Sequence, residues 1–211
     1  MAELEILQLE VQGMDPKTYI DLMAKESDRR LSPEMDETTR SRVASLPINH
    51  QRTTRILRTY TVSQFLQKKL AAIRDRQVWM VLTEPWCGDS AQCVPCLIRF
   101  AECNPLIEIR FVLRDRSPEI MDRHLTNGTR GIPKLVAFNS AGEELFTWGP
   151  RPRAGQALFE KGKAEGLTKA ANLERLHLWY ARNRGAAIEE EFALLLDRIP
   201  ERKPDLQFGE R

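Results

Sequence analysis

Short apolar runs alternate with segments of helical spacing along the chain, and the two patterns predict its secondary structure. The run VWMVLT, with residues 79–83 at its centre, is continuous and apolar, which is typical of a strand buried on both faces. The run IEIRFVL at residues 107–113 is rich in branched and aromatic residues and predicts a second strand. The runs KLVAF and EELFTW, separated by NSAG, predict a β-hairpin.

Helical patterns precede these strands. The first sixty residues predict short helices broken by Pro16, Pro33 and Pro47, and Asp15 is placed to cap the first of them. Apolar residues then recur every three or four positions over residues 62–74, which predicts an amphipathic helix that leads into the first strand.

Helical patterns also separate and follow the strands. They predict a helix over residues 89–103, a short helix over 118–125 and a helical region from Pro152 onward, interrupted at 183–185. This order of elements predicts an α/β fold with a mixed four- to five-stranded sheet flanked by helices. The expected organisation is a helical N-terminal extension over residues 1–60, a core over 61–150 and long C-terminal helices over 151–211 packed on that core.

Composition narrows the class of protein. With 211 residues, 42% of them hydrophobic and 29% charged, the chain resembles ordinary soluble globular proteins. Its start has acids in place of a basic leader, and no stretch approaches ~18 uncharged apolar residues. We therefore expect a cytoplasmic protein without a membrane partner. In that compartment the four cysteines, all between residues 87 and 103, favour a catalytic or metal-binding role over a disulfide framework.

The net charge of +2 conceals an uneven distribution. No Asp or Glu lies between residues 38 and 74, whereas eight Lys and Arg residues do. Such a run suits nucleic acid, an anionic surface or an acidic partner, or it is a solvated face neutralised by acids from elsewhere in the fold. Because no nucleic-acid motif accompanies the charge, we do not expect a nucleic-acid partner.

The stretch WCGDSAQCVPC contains two candidate cysteine motifs. Cys87 directly follows the first strand and precedes a helix, where the positive end of the helix dipole lowers a thiol pKa. Cys93 and Cys96 lie one and two turns further along, at the spacing of core residues. The position of Cys87 therefore makes it the candidate catalytic residue.

The string EPWCGDS, Pro95 eight residues after Cys87, and the GIP of residues 131–133 before a strand resemble the thioredoxin superfamily. The strings LTNGTRGIPK, WGPRP and LWYARNRG further resemble a bacterial thioredoxin-like branch with an extra helical N-terminus. The resemblance implies a thioredoxin-like fold in which Cys87 reacts and Pro95 kinks its helix. It also implies substrate-binding roles for Trp86, Gly88, Asp89, Ile132 and Pro133.

A physical reason can be given for the role that the resemblance implies at each of these residues. Trp86 would shield the sulfur and offer a flat surface to a substrate, and Gly88 would allow close approach at the start of the helix. A cis peptide bond before Pro133 would place that residue opposite the thiol. The backbone of Ile132 could then pair with an extended substrate segment.

The chain departs from the thioredoxin pattern at two positions. Ser90 stands where the resolving cysteine would be, and a hydroxyl cannot attack a mixed disulfide. Cys93 cannot replace it, because six residues of helix rise ~9 Å and a disulfide tolerates only ~7 Å between Cα atoms. Val81 stands where the family carries a buried aspartate that assists proton transfer.

The sequence does not show whether the pKa of the Cys87 thiol is raised or lowered. Glu84 and Asp89 oppose it, whereas the end of the helix and Lys134 favour it.

Three hypotheses follow for the function. The first is a thiol–disulfide oxidoreductase with a monothiol Cys-Gly-Asp-Ser site, which forms mixed disulfides through Cys87. Its partners would be a protein thiol or disulfide, or glutathione, and it would need no cofactor. The second is a binding or scaffold module that kept the fold and lost redox turnover.

The third hypothesis is a metal or cluster site. Cys-Gly-Asp-Ser is similar to the Cys-Gly-Phe-Ser of monothiol glutaredoxins, which share an iron–sulfur cluster, but the glycine-rich glutathione contacts of that family are absent. The four cysteines also lack the paired spacing of structural zinc sites, so we expect no metal.

Other residues carry weaker signals. His50, His124 and His177 have no second ligand nearby in sequence, which is typical of ordinary surface or core histidines. Asp115 could approach the site or cap a helix, and Tyr180 is expected to pack the C-terminal helices onto the sheet.

Overall fold

The computed structural model describes residues 13–199 and has one mixed sheet at its centre. Its strands lie in the order β2-β1-β3-β4, where β1 is parallel to β2 and antiparallel to β3, and β3 is antiparallel to β4. The α/β sheet and the hairpin expected from the sequence are confirmed. The strands are β1 (Gln77–Thr83), β2 (Ile107–Leu113), β3 (Lys134–Asn139) and β4 (Glu144–Trp148).

Helices flank this sheet and account for most of the described residues. The outer ends of the N-terminal extension and of the C-terminal region, residues 1–12 and 200–211, lie outside the described part of the chain. The helices are α1 (Pro16–Ser27), α2 (Glu37–Thr59), α3 (Gln64–Ala71), α4 (Gly88–Ala101), α5 (Pro118–Arg123), α6 (Arg153–Ala164), α7 (Lys169–Asn183) and α8 (Ala186–Leu196).

The strand β1 is buried along its whole length, as its continuous apolar sequence predicted. Alternate side chains of a strand point to opposite faces of the sheet. Trp79 and Val81 accordingly join the larger core with α4 and α8, while Val78 and Met80 join a smaller core on the other face. Met121 of α5 covers that second face. Both faces are therefore protected from water, and Cys87 lies at the edge of the smaller core.

One sequence-based expectation is wrong. Pro47 does not break the N-terminal region into separate helices, because α2 runs without interruption from Glu37 to Thr59. A proline inside a helix removes one backbone hydrogen bond and disfavours the preceding turn. Here the ring of Pro47 points to solvent, while Val43 and Leu46 are buried. Tertiary packing on both sides of the proline thus offsets its local cost.

The position of α2 matters for the site, because this helix packs along α4 and its N-terminal half overlies the start of α4. The boundaries of α3 and α4 differ from the predicted ones by one to three residues at each end, with Ser63 capping α3. Within residues 13–199, none of the helices combines the length and the hydropathy needed to cross a bilayer.

Candidate functional site

The thiol of Cys87 lies at the junction of β1 and α4. The strand ends at Thr83, a turn follows, and the backbone N–H of Cys87 donates to the carbonyl of Glu84 at 3.0 Å. Cys87 is the N-cap of α4, and its Sγ accepts the backbone N–H of Ser90 at 3.4 Å. The sulfur therefore takes the place that an oxygen has in an ordinary N-cap.

On its other side the thiol faces the loop before β3. Sγ of Cys87 donates to the carbonyl oxygen of Ile132 at 3.4 Å, and Ile132 itself is buried. The Ile132–Pro133 peptide bond is cis, and so is Gly149–Pro150. Gly149 has a φ of 111°, and a Cβ on it would stand 2.1 Å from the carbonyl oxygen of Pro133, so only glycine allows this approach. The two cis-proline loops are thus packed against each other beside Cys87.

The indole ring of Trp86 is in contact with two arginine side chains. The guanidinium groups of Arg42 and Arg114 lie 4.3 Å and 4.8 Å from its ring centroid. Its carbonyl oxygen lies 3.0 Å from the hydroxyl of Ser45 on α2. The indole next to Cys87 is therefore stacked by cations, and a substrate would meet charged groups there as well as an aromatic surface.

Asp89 is buried and belongs to a polar network beneath the start of α4. Its Oδ2 accepts from Nε and Nη2 of Arg151 at 2.8 Å each, and its Oδ1 accepts from the hydroxyl of Tyr180 at 3.0 Å. Burial raises the pKa of the Asp89 carboxyl, and the Arg151 charge acts in the opposite direction. The same tyrosine hydroxyl lies 3.6 Å from Sγ of Cys93. This network connects the helix of the thiol to α7.

In the structure, the environment of Cys87 raises the pKa of its thiol. Burial and the nearby Asp89 carboxylate raise the pKa of this thiol to about 11, although the backbone N–H of Ser90 acts to lower it. Glu84 is turned away, because its carboxylate accepts the backbone N–H of Asp115 at 2.8 Å. Lys134 has Glu144 as its charged neighbour and a pKa lowered by burial. The expected assistance from Lys134 is therefore not among the forces acting on the thiol.

Sequence reasoning missed two residues of the site. His177 on α7 packs against the start of α4 so closely that a Cβ on Gly88 would stand 2.9 Å from its ring. The carboxamide nitrogen of Gln92 donates to Nδ1 of His177 at 3.2 Å. Arg52 on α2 approaches the same place, with Nη1 4.0 Å from that Cβ position. Spacing could have linked His177 to Tyr180 on one face of α7, but nothing local places either residue near Cys87.

A cleft of about 1340 Å³ opens over Cys87. Its walls are α2 on one side, α6 and α7 on the other, and the loops at residues 126–132 and 149–153. Among the described residues that line it, eight are Lys or Arg and three are Asp or Glu. The thiol thus borders a large depression with an excess of positive charge.

Comparisons with known proteins assign this fold to a family. A family model described as thioredoxin matches residues 34–165, which is more than half of the chain. The chain belongs to the thioredoxin family. The match begins just before α2 and ends just after α6, so it contains β1 to β4 and Cys87. None of the curated proteins matches the chain significantly.

Two solved structures share the fold of this thioredoxin-family chain. A protein of unknown function from Pseudomonas aeruginosa is 16% identical, with a TM-score of 0.54 over 88% of this chain and 97% of that one. An HIV epitope scaffold is 17% identical, with a TM-score of 0.54 over 82% of this chain and 96% of the scaffold. At such low identity the likeness concerns the fold alone.

Against the thioredoxin pattern, the remaining cysteines are not placed to assist Cys87. All four thiols are free. Cys93 and Cys96 are 0% and 2% exposed and belong to the larger core, as their spacing predicted. Ser90 is 1% exposed, and within the described residues its hydroxyl has no hydrogen-bond partner. Residues 13–199 contain no group of three or more His, Cys, Asp or Glu side chains that could hold a metal ion.

Proposed function

We propose that this thioredoxin-family protein carries out thiol–disulfide exchange through Cys87 alone. The observation that supports the proposal is the position of its thiol, at the start of α4, beside the Ile132 carbonyl and at the wall of the cleft. The partner would be a protein thiol or disulfide, or a small thiol such as glutathione. No second cysteine is needed if an external thiol completes the cycle.

The reaction has two steps. Cys87 loses its proton and its sulfur attacks a disulfide, so that one sulfur–sulfur bond forms, the substrate disulfide breaks and a thiolate leaves. An external thiol then attacks the substrate sulfur of the mixed disulfide, and Cys87 leaves as a thiolate that is reprotonated. The backbone N–H of Ser90 acts to stabilise negative charge on Sγ. Ser90 thus supports both steps without being able to resolve the mixed disulfide.

The pKa of Cys87 bears on the rate of the first step. At a pKa of about 11, only a very small fraction of this thiol is ionised at pH 7. Exchange by the free protein is therefore expected to be slow at neutral pH. The same high pKa makes Cys87 a poor leaving group, so a mixed disulfide formed there is expected to persist.

The proposal is tested by treating the reduced protein with oxidised glutathione and mapping the adduct by peptide mass spectrometry. We expect the adduct on Cys87, and its release by an added thiol. Cys87→Ser should abolish it, whereas the matched control Cys103→Ser removes the other partly accessible thiol and should leave it in place. An adduct confined to Cys93 or Cys96 contradicts the proposal.

A second candidate is a binding or scaffold module without redox turnover. It is favoured by the 9% exposure of Cys87, by Ser90 in the resolving position and by Val81 in place of a buried acid. Failure to reduce insulin and to form any Cys87 adduct, together with stable binding of a protein partner by both the parent chain and Cys87→Ser, would support this candidate over the first.

A further inference from the structure

The positive charge of the cleft over Cys87 is not evenly neutralised. Five of its cations have a carboxylate partner within the fold: Arg151 pairs with Asp89, Arg130 with Asp122, Arg42 and Arg114 with Asp115, and Lys163 with Glu160. Arg153 and Lys169 are exposed to solvent. Arg52 is neither paired in this way nor fully exposed.

Arg52 is a partly buried guanidinium without a countercharge. Its Nη1 donates to Oδ1 of Asn49 at 3.1 Å, and among residues 13–199 it has no carboxylate within ion-pair distance. Burial and the charge of Arg55 lower the pKa of Arg52. Withdrawing a cation from water without a partner is unfavourable, and an anion bound beside it would remove that cost.

His177 provides a neutral donor at the same place. Burial and the charges of Arg52 and Arg151 lower its pKa to about 4, so the ring is uncharged at neutral pH. Because Nδ1 accepts from Gln92, the ring proton is on Nε2, which lies against Gly88 at the cleft. A guanidinium and an imidazole N–H therefore converge on the residue next to the reactive thiol.

We propose that the cleft binds a small thiol or disulfide that carries a carboxylate, with the carboxylate against Arg52 and His177 and the sulfur at Cys87. The inference deepens the proposed exchange reaction and rests on it for the reacting sulfur. A small molecule is favoured over a folded protein, because helices stand on both sides of the thiol and Cys87 is only 9% exposed.

The anion subsite can be tested without any disulfide, by alkylating Cys87 with iodoacetate and with iodoacetamide. The two reagents have nearly the same size, and in both reactions a carbon–sulfur bond forms, iodide leaves and the thiol proton is released. The ratio of their rates cancels the thiolate fraction. We expect the iodoacetate-to-iodoacetamide ratio for Cys87 to exceed that of free cysteine by about three- to tenfold at low salt, and to fall as salt is added.

Variants on α2 test whether the preference for iodoacetate is due to Arg52. Arg52→Gln should bring the ratio close to that of free cysteine, and Arg52→Lys should keep part of the preference. Arg58→Gln removes the same charge from an exposed position of the same helix outside the cleft and is the matched control. An unchanged ratio in Arg52→Gln, an equal loss in Arg58→Gln, or no alkylation of Cys87 by either reagent overturns the subsite.

Disulfide probes then separate the subsite from the chemistry. We expect 3,3′-dithiodipropionate to form a mixed disulfide with Cys87 faster than bis(2-hydroxyethyl) disulfide, and cystamine to be the slowest. If none of the three reacts while iodoacetate is still preferred, the exchange reaction is wrong and the anion subsite stands. If the three react at rates proportional to those with free cysteine, the subsite is wrong and the exchange reaction stands. Faster reaction with a disulfide-linked acidic peptide than with dithiodipropionate overturns the choice of a small molecule.

Discussion

At the scale of single residues, the thiol of Cys87 is governed by two opposing environments. The start of α4 supplies N–H groups that favour the thiolate, as the backbone contact from Ser90 shows. Burial and the Asp89 carboxylate favour the thiol, and they dominate. A cysteine at a helix start is therefore not automatically a reactive one.

The first prediction concerns the pH dependence of Cys87. Because its pKa is raised to about 11, the rate of its alkylation by iodoacetamide should still be rising above pH 10. An ordinary cysteine would level off near its own pKa of about 8.5. The measurement is a series of short alkylation pulses between pH 7 and 11, read by peptide mapping, with Cys87→Ser as the blank. A plateau reached below pH 10 would contradict the raised pKa.

The second prediction concerns Asp89. Replacing it with Asn removes the negative charge that raises the thiol pKa and leaves the Arg151 cation nearby, so the Cys87 pKa should fall by on the order of one unit or more. The same change breaks a buried ion pair and should cost about 2–4 kcal/mol of unfolding free energy.

Pulsed alkylation and urea unfolding measure the two effects separately. Arg151→Gln is the matched control, since it breaks the same pair while keeping the carboxylate, and it should raise the thiol pKa further. If Asp89→Asn leaves the alkylation profile unchanged, the carboxylate has no influence on Cys87.

At the scale of elements, α2 holds the turn that carries Cys87. Nδ2 of Asn49 donates to the carbonyl of Pro85 at 3.1 Å, and the hydroxyl of Thr53 donates to the carbonyl of Ala91 at 3.4 Å. Both side chains are fully buried. Polar groups thus replace apolar ones where α2 crosses the start of α4. The Pro85 carbonyl lies in the turn, and the Ala91 carbonyl has no helical partner because Pro95, four residues on, lacks an N–H.

The third prediction follows from this contact. Asn49→Ala leaves the Pro85 carbonyl without its partner in a buried place, which should lower the free energy of unfolding by about 1–3 kcal/mol. Gln51→Ala, at an exposed position of the same helix, should change it by less than about 0.5 kcal/mol. Urea unfolding followed by circular dichroism gives both values. Equal effects would show that Asn49 is not a structural link between α2 and the turn.

At the scale of the whole molecule, the last helix completes the core. Phe192 of α8 is fully buried, and its ring lies 4.9 to 6.0 Å from four aromatic rings of α4 and the sheet: Trp79, Phe100, Phe146 and Trp148. The family match ends at residue 165, before this helix begins. Residues beyond the shared family region therefore contribute to the main core of this protein.

The fourth prediction measures that contribution. Phe192→Ala should cost about 3–5 kcal/mol, because it removes the transfer energy of a large aromatic side chain and leaves a cavity among four rings. Leu194→Ala, on the same helix with its side chain 58% exposed, should cost far less. Thermal and urea unfolding of both variants test this. A similar small loss in the two would mean that α8 is only peripherally attached.

The whole fold also determines which partners the basic residues of the run 38–74 have. Acids from distant segments pair with part of it, since Asp115 pairs with Arg42 and Asp197 with Lys69. Arg52 instead faces the cleft. The fold thus distributes these charges of the run among different neighbours.

From the sequence alone we could predict the order of elements, the hairpin, the core positions of Cys93 and Cys96 and the place of Cys87 between β1 and α4. Each of these depends on residues near one another in the chain, whose spacing reports directly on strand and helix periods. The three-dimensional fold was needed to show that α2 passes through Pro47, that the Cys87 pKa rises, and that Arg52 and His177 meet beside Gly88. Desolvation, Coulomb interactions and packing depend on distances between residues far apart in sequence, and local patterns do not contain those distances.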